Sequence, residues 1–234
     1  MESLFEKLEK DLRYREGLIA CINCGTCTAI CPAAQFYDYD PRQVTDTVQH
    51  HDEAELLALL KSDTIWMCGE CLSCKTRCPR QNVPGYIIQS LRALSIQMGM
   101  FAESEKGRQQ LALKRTIGEH MLQYGYCVYI DEVDLEKFPE QGPIWDWFRQ
   151  NRTEVLKRLG AAYQQNTAGT LRNISEESLN HLRRIFEETG AIERFEQIEK
   201  VSGKKATEMG IGFSSGTNDA YFEHVNNFNS SKEE

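Results

Sequence analysis

Two short stretches decide the fold of this 234-residue chain, CINCGTCTAICP at residues 21–32 and CGECLSCKTRCP at residues 68–79. Each contains four cysteines with the spacing C-x2-C-x2-C-x3-C and ends in proline. Every cysteine of the first stretch recurs 47 positions later, so the two stretches form an internal repeat. The first run consists of Cys21, Cys24, Cys27 and Cys31, and the second of Cys68, Cys71, Cys74 and Cys78.

The spacing within each run indicates iron–sulfur clusters. Structural zinc is usually bound by two C-x2-C pairs separated by a longer gap. Three cysteines at steps of three, followed by a fourth before a proline, instead match the run of bacterial ferredoxins, whose fourth cysteine ligates the other cluster. We therefore expect two [4Fe–4S] clusters, with zinc or a disulfide framework as the alternatives. The expected ligands are Cys21, Cys24, Cys27 and Cys78 for the first cluster and Cys68, Cys71, Cys74 and Cys31 for the second.

The two loops are expected to differ in charge. The first carries no charged residue, whereas the second carries Lys75, Arg77 and Arg80. Cations favour the more negative, reduced state of a cluster, which would give the second cluster a higher potential, but a solvated basic rim or a partner contact is the simpler explanation of these charges. Gly25 and Gly69 lie inside the loops, where the backbone is expected to approach a cluster closely.

The rest of the sequence is that of a globular protein, with 41% hydrophobic and 26% charged residues. A net charge of −8 gives no sign of nucleic-acid binding. Residues 1–7 are charged and lack the apolar core of a signal peptide, so a cytoplasmic location with cysteines acting as ligands is expected. Residues 17–37 contain no charged side chain, but their four cysteines argue against a membrane span.

Hydrophobic periodicity predicts a mostly α-helical chain that begins with a domain over residues 1–102. Apolar residues between Leu4 and Leu12 are spaced for one face of a helix before the first loop. Asp52 is typical of a helix start between the loops, and Pro84 suits the first turn of a helix after the second loop.

The remaining chain is predicted to form a helical extension over residues 103–209, with partner docking as its role. Helices are expected over about 104–124 and 143–164 and after Ser175. Trp147 is a candidate interface anchor, together with its aromatic neighbours Trp145 and Phe148, although packing in a helical core is the simpler interpretation of all three.

Two further segments are interpreted from composition. Residues 124–130 are rich in aromatic and β-branched side chains, which predicts a strand in which Cys127 packs as a small apolar residue. Residues 210–234 form a polar tail that is expected to be disordered or ordered by a partner.

The cysteine runs and their flanks resemble the family of heterodisulfide reductase C subunits. The resemblance covers residues 1–102 and is carried by CINCGTCT at 21–28, CP at 31–32, PR at 41–42, IWMC at 65–68, CLSCKTRCP at 71–79 and LRAL at 91–94. It implies an α-helical ferredoxin domain that relays electrons to a separate catalytic subunit. The implied partners in a hetero-oligomer are the flavin-containing A-type and the disulfide-active B-type subunits of heterodisulfide reductase-like complexes.

The resemblance also implies that this chain is not itself catalytic. The catalytic subunit of such complexes has modules with adjacent cysteines, and no Cys-Cys pair occurs here. Long forms of the family resemble the heterodisulfide reductase-like complexes of sulfur-oxidising bacteria, which the large extension favours over the methanogen type. The alternatives are an iron–sulfur subunit of a succinate- or glycolate-type dehydrogenase that serves a quinone-reducing partner, and a structural or regulatory iron–sulfur protein.

Overall fold

The structure, a computed structural model, describes residues 2–133, 135, 138 and 141–227. Across these residues the chain is built from helices and contains no strand. The α-helices are α1 (Leu4–Leu8), α2 (Leu12–Gly17), α3 (Thr26–Ala29), α4 (Pro41–Gln49), α5 (Glu53–Lys61), α6 (Pro84–Gln97), α7 (Glu105–Arg108), α8 (Gln110–Leu113), α9 (Glu119–Tyr124), α10 (Ile144–Arg158), α11 (Glu176–Glu188), α12 (Ala191–Met209) and α13 (Ala220–Asn226). Short 3-10 turns cover Ala33–Gln35, Thr64–Trp66, Lys75–Arg77 and Met100–Glu103, and Lys114–Gly118 is π-helical. The prediction of a mostly α-helical chain is confirmed.

The predicted helix starts are confirmed by their caps. The Asp52 carboxylate accepts hydrogen bonds from two backbone N–H groups in the first turn of α5. Pro84 is the first residue of α6, where its missing N–H leaves no helical hydrogen bond unmade. Ser175 caps α11 through its hydroxyl oxygen.

Two predicted helices are interrupted, and a third is shorter than expected. The Asp11 carboxylate accepts a hydrogen bond from the Arg13 N–H, so a second helix begins after Leu8 where one continuous helix was expected. The helix expected over 104–124 is divided by a turn at Gln109 and by the π-helical segment. The helix expected over 143–164 ends at Arg158.

The strand predicted over residues 124–130 is wrong. Gly125 adopts a left-handed conformation with φ 76° and ends α9, and the chain then turns. The ring centroids of Tyr124 and Tyr129 lie 4.1 Å apart in a stacked arrangement. These aromatic side chains therefore pack against each other and not against a neighbouring strand. Cys127 is exposed, which also contradicts its expected apolar packing.

The chain separates into two compact units. The first consists of residues up to Leu111, Glu196–Ser214 and the residues from Asp219 onward, and the second of Ala112–Phe195 and Ser215–Asn218. The predicted domain boundaries at residues 102 and 209 stay predictions, since a compact unit need not coincide with a domain. None of the helices in the described part of the chain has the length and apolar character needed to cross a membrane.

The hydrophobic core of the first unit lies against one cysteine of each run. Most of its buried side chains come from α1, α4, α5 and α6, with Ile65 from the turn Thr64–Trp66, and Cys31 and Cys68 pack against this core. Part of the predicted polar tail belongs to the same unit: α13 buries Tyr221, Phe222 and Val225. That segment is therefore ordered by its own chain, while residues 228–234 lie outside the described residues.

Candidate iron–sulfur site

The 47-residue repeat of the sequence is also a repeat of backbone conformation. Asn23 and Glu70, which are equivalent in the two loops, have φ values of 57° and 52°. Gly25 and Leu72 are the next equivalent pair, at 78° and 57°. Left-handed conformations at non-glycine residues are uncommon. Their recurrence at matching positions indicates that the two loops share one backbone conformation. The equivalent of Gly25 is therefore Leu72, and Gly69 does not share its conformation.

These conformations turn backbone N–H groups toward the first cysteine of each run. The Asn23 N–H donates to Cys21 Sγ at 3.4 Å, and the Glu70 N–H donates to Cys68 Sγ at the same distance. A donor of this kind stabilises a thiolate, which is the form of cysteine that binds iron.

The second cysteine of each run has a hydroxyl neighbour. Cys24 Sγ and Thr26 Oγ1 lie 3.4 Å apart, as do Cys71 Sγ and Ser73 Oγ. Each hydrogen bond lowers the pKa of its cysteine. Both cysteines are exposed, so each run places one potential ligand at the protein surface.

The third cysteine of each run, Cys27 or Cys74, is less exposed than the second. Burial raises the pKa of Cys27 to about 11. Burial also raises the pKa of Cys74, against the opposing effect of a hydrogen bond from the Gly85 N–H at the start of α6. A Cβ added at Gly85 would lie 2.8 Å from Leu72 Cδ2, so a larger residue would force the Leu72 side chain, which belongs to the second cysteine loop, to move.

The structure brings the fourth cysteine of the second run to the first run. The residues that line one open pocket include Cys21, Cys24, Cys27 and Cys78, the set expected for the first cluster. Helix α3 and the turn Lys75–Arg77 are in contact, which holds the two runs side by side.

The fourth cysteine of the first run lies near the second run. Both act on the buried Tyr39: burial has the largest effect in raising the pKa of its hydroxyl, and Cys68 and Cys31 raise it further. Cys31 of the first run and Cys68 of the second run therefore both lie near one buried hydroxyl.

Two amide side chains hold the segment that leads into the first run. Gln49 Oε1 accepts from the Cys21 N–H at 2.5 Å, and Gln49 Nε2 donates to the Cys21 carbonyl at 3.1 Å. Asn82 Oδ1 accepts from the Ile19 and Ala20 N–H groups at 2.7 and 3.1 Å. Asn82 Nδ2 donates to the Ala20 carbonyl at 3.0 Å and to Cys78 Sγ at 3.8 Å.

Arg92 of α6 does the same for the second run. Its Nε donates to the Ile65 carbonyl and its Nη2 to the Cys68 carbonyl, both at 2.6 Å. Its Nη1 pairs with Glu70, and its guanidinium lies over the Trp66 ring, 5.5 Å from the centroid. The guanidinium therefore fixes the backbone on both sides of the second run's first cysteine.

The donor set fits cubane clusters. No three Cys, His, Asp or Glu side chains among the described residues converge closely enough to bind one metal ion. In a [4Fe–4S] cluster each thiolate binds a different iron atom, so the four sulfurs need not converge on one point. Cysteine alone supplies the expected ligands; backbone N–H groups donate to the first cysteine of each run, and a hydroxyl lies within hydrogen-bond distance of the second.

Several of these supporting residues were not found from the sequence. Gln49, Asn82 and Tyr39 are ordinary polar residues in sequence, and only their positions in the fold give them a role. Arg92 appeared only as part of the LRAL segment that resembles the family. Asn82, four residues after Cys78, repeats no earlier position, since its equivalent is Gln35.

Comparison with known proteins is consistent with this geometry. A family model described as a 4Fe-4S dicluster domain matches residues 17–82. The chain is 34% identical over 212 residues to the C subunit of the ferredoxin:CoB-CoM heterodisulfide reductase of Methanosarcina acetivorans. The aligned region covers 90% of this chain and 76% of that protein. The chain is 37% identical over 176 residues to the second iron-sulfur C subunit of the CoB--CoM heterodisulfide reductase of Methanocaldococcus jannaschii, which covers 74% of each.

The matched domain contains both cysteine runs, and the similarity to the Methanosarcina protein extends far beyond them. The expectation of a helical, ferredoxin-like domain with cysteines for two [4Fe–4S] clusters is confirmed. The chain belongs to the family of heterodisulfide reductase C subunits.

Proposed function

We propose that this chain is the electron-transfer subunit of a heterodisulfide reductase-like complex and relays electrons through two cross-ligated [4Fe–4S] clusters. One observation carries the proposal: Cys78 of the second run lines the same pocket as Cys21, Cys24 and Cys27 of the first. Sharing ligands between runs places two clusters close together, as a relay needs.

The ligands follow from the same arrangement. The first cluster is assigned to Cys21, Cys24, Cys27 and Cys78, and the second to Cys68, Cys71, Cys74 and Cys31. When bound, the clusters accept and donate single electrons. The chain's own residues hold their ligands, shield Cys27 and Cys74, and leave Cys24 and Cys71 exposed for electrons to enter and leave.

The ligand assignment is tested by serine substitutions in the anaerobically purified chain. Cys24→Ser marks the signal of the first cluster and Cys71→Ser that of the second, in a redox titration followed by electron paramagnetic resonance. Cys78→Ser is expected to alter the same signal as Cys24→Ser. An effect on the Cys71 signal alone would refute cross-ligation.

The partners are proposed from the family and from what this chain lacks. No Cys-Cys pair occurs in the sequence, so disulfide chemistry is assigned to a B-type subunit and electron input to a flavin-containing A-type subunit. The related proteins are named for CoB-CoM heterodisulfide, and we prefer that substrate class over carrier-bound sulfur. The similarity spans 90% of this chain, so the extension no longer favours the sulfur-oxidiser type. No comparison favours a quinone-linked dehydrogenase, and a cytoplasmic location is part of the proposal.

The extension is proposed to dock a partner subunit. On α10, Ile144 is 68% exposed and Trp147 is 54% exposed, whereas Trp145 is tied to its own unit by a hydrogen bond to the Val133 carbonyl. Exposed aromatic residues are frequent anchors of interfaces.

Co-purification from the native organism tests the complex. Mass spectrometry is expected to find a flavoprotein and a subunit with Cys-Cys modules bound to this chain, and Trp147→Ala is expected to weaken their retention. A quinone-binding membrane subunit as the only partner would contradict the proposal. If Trp147→Ala leaves the retention of the partners unchanged, only the role of α10 as the docking surface is rejected, and the proposed complex is not.

A further inference from the structure

The described part of the chain contains four buried side-chain polar atoms without a hydrogen-bond partner, and two of them are tyrosine hydroxyls. These belong to Tyr39, which is 4% exposed, and Tyr221, which is fully buried. Burying a hydroxyl without a hydrogen-bond partner is unfavourable, so each such group requires a physical explanation.

The surroundings of the two hydroxyls differ. For Tyr39, Cys68 and Cys31 are the neighbours that raise its pKa after burial, and Cys68 lies close enough to interact with the hydroxyl without reaching good hydrogen-bond geometry. For Tyr221, burial raises the pKa to about 12, and its charged neighbours are Arg108 and Glu208. Only the first of these two hydroxyls therefore faces cysteines.

The position of Tyr39 is fixed by the fold. It directly precedes Asp40, whose carboxylate caps α4, and its ring packs in the core with Val44 and Leu91. Its backbone N–H donates to the Tyr37 carbonyl at 2.8 Å. The backbone and the surrounding core thus hold the ring in place, with its hydroxyl near the two cysteines.

We propose that the Tyr39 hydroxyl donates a hydrogen bond to the second cluster at its Cys68 thiolate, and so raises the reduction potential of that cluster. The inference rests on the proposed function, because it needs Cys68 and Cys31 to be ligands of one cluster. Tyr39 is a positioning and tuning residue and takes no part in electron transfer as a carrier.

The direction of the effect follows from charge. One-electron reduction adds negative charge that spreads onto the thiolate ligands, and hydrogen bonds to the sulfurs are among the factors that set cluster potentials. A hydrogen bond to a charged acceptor is stronger than one to a neutral acceptor. The donor therefore stabilises the reduced state more than the oxidised state. The Tyr39 hydroxyl is buried and has no other hydrogen-bond partner, so its proton is available for this bond.

The test compares Tyr39→Phe with Tyr221→Phe in the full chain with its clusters bound. Both substitutions remove one buried, unpartnered hydroxyl and keep the ring. Tyr39→Phe is expected to shift the reduction equilibrium of the second cluster about tenfold toward the oxidised state, equivalent to about 59 mV for a one-electron couple. Tyr221→Phe is expected to leave both potentials unchanged, and Cys71→Ser identifies the signal of the second cluster.

A second variant is expected to shift the second cluster's reduction potential in the opposite direction. Site-specific 3-fluorotyrosine at position 39 keeps the side chain's shape and makes its hydroxyl a stronger donor, so the second cluster's potential is expected to rise. This variant decides the matter if Tyr39→Phe fails to bind its full complement of iron. Electron–nuclear double resonance adds a further readout, since the coupling of one exchangeable proton to the second cluster should disappear in Tyr39→Phe.

The outcomes separate this inference from the proposed function. Unchanged potentials in Tyr39→Phe, in a chain with two clusters, would overturn the role of Tyr39 and leave the relay intact. Equal shifts in Tyr39→Phe and Tyr221→Phe, or a fall in potential with fluorotyrosine, would also overturn it. A wild-type chain without two clusters would contradict the relay and this inference together.

Discussion

Asn82 should control how firmly the first cluster is held. The side chain is 2% exposed and pairs with three backbone groups of residues 19 and 20, just before Cys21. Asn82→Ala removes all three hydrogen bonds and the contact with Cys78. Leaving a buried polar group unpaired costs about 1–3 kcal/mol, and the space left by truncation admits water, so we take about 1 kcal/mol for each group and about 3 kcal/mol in total.

That loss should appear as faster opening of the first loop. If local opening limits release, about 3 kcal/mol corresponds to about a hundredfold increase in rate. The assay follows transfer of iron to a chelator under anaerobic conditions, with loss of each cluster's paramagnetic signal. Asn151→Ala is the control, because Asn151 makes one exposed hydrogen bond, to the Trp147 carbonyl. Release within about twofold of wild type, or earlier loss of the second cluster, would refute the reasoning.

Three further substitutions test other parts of the site. Arg92→Lys cannot preserve both backbone hydrogen bonds to residues 65 and 68, at about 1.5 kcal/mol or more each, so the same chelator assay should show faster loss of the second cluster; loss of the first alone would contradict this. Asp40→Ala removes the cap of α4 and should lower stability by about 1 kcal/mol in thermal unfolding. Burial opposes ionisation of Asp40, but hydrogen bonds from Thr28 and Arg42 outweigh it and lower the pKa. The Asp40→Ala penalty should therefore be constant above the ordinary pKa of 3.8 and shrink only as the pH falls through the lowered value; a penalty that changes near neutral pH would contradict this. Cys127→Ser should leave iron content and both potentials unchanged, because Cys127 lies outside both runs; lost iron would show that it is a ligand.

Much of the site could be predicted because its chemistry is local in sequence. The fourfold cysteine spacing, its 47-residue repeat and the ferredoxin pattern together indicated the ligands, and the structure places Cys78 with Cys21, Cys24 and Cys27. Helix starts with side-chain caps, such as Asp52, were also readable, since the cap and the N–H groups it binds are adjacent in sequence.

The parts that were missed depend on contacts distant in sequence. Asn82 reaches back 62 and 63 residues to bind Ala20 and Ile19, and no local pattern signals such a pairing. The strand expected over residues 124–130 failed because side-chain composition favours a strand only when a partner strand is available. The tail was read from its polarity, whereas Tyr221, Phe222 and Val225 are spaced for one buried face of a short helix.

The central claim is that this chain carries two [4Fe–4S] clusters. The most direct measurement is the content of iron, acid-labile sulfide and zinc in the chain purified without oxygen. The account predicts about eight iron atoms and about eight sulfides per chain, four of each for every cluster. Stoichiometric zinc, or about four iron atoms with four sulfides, would contradict it.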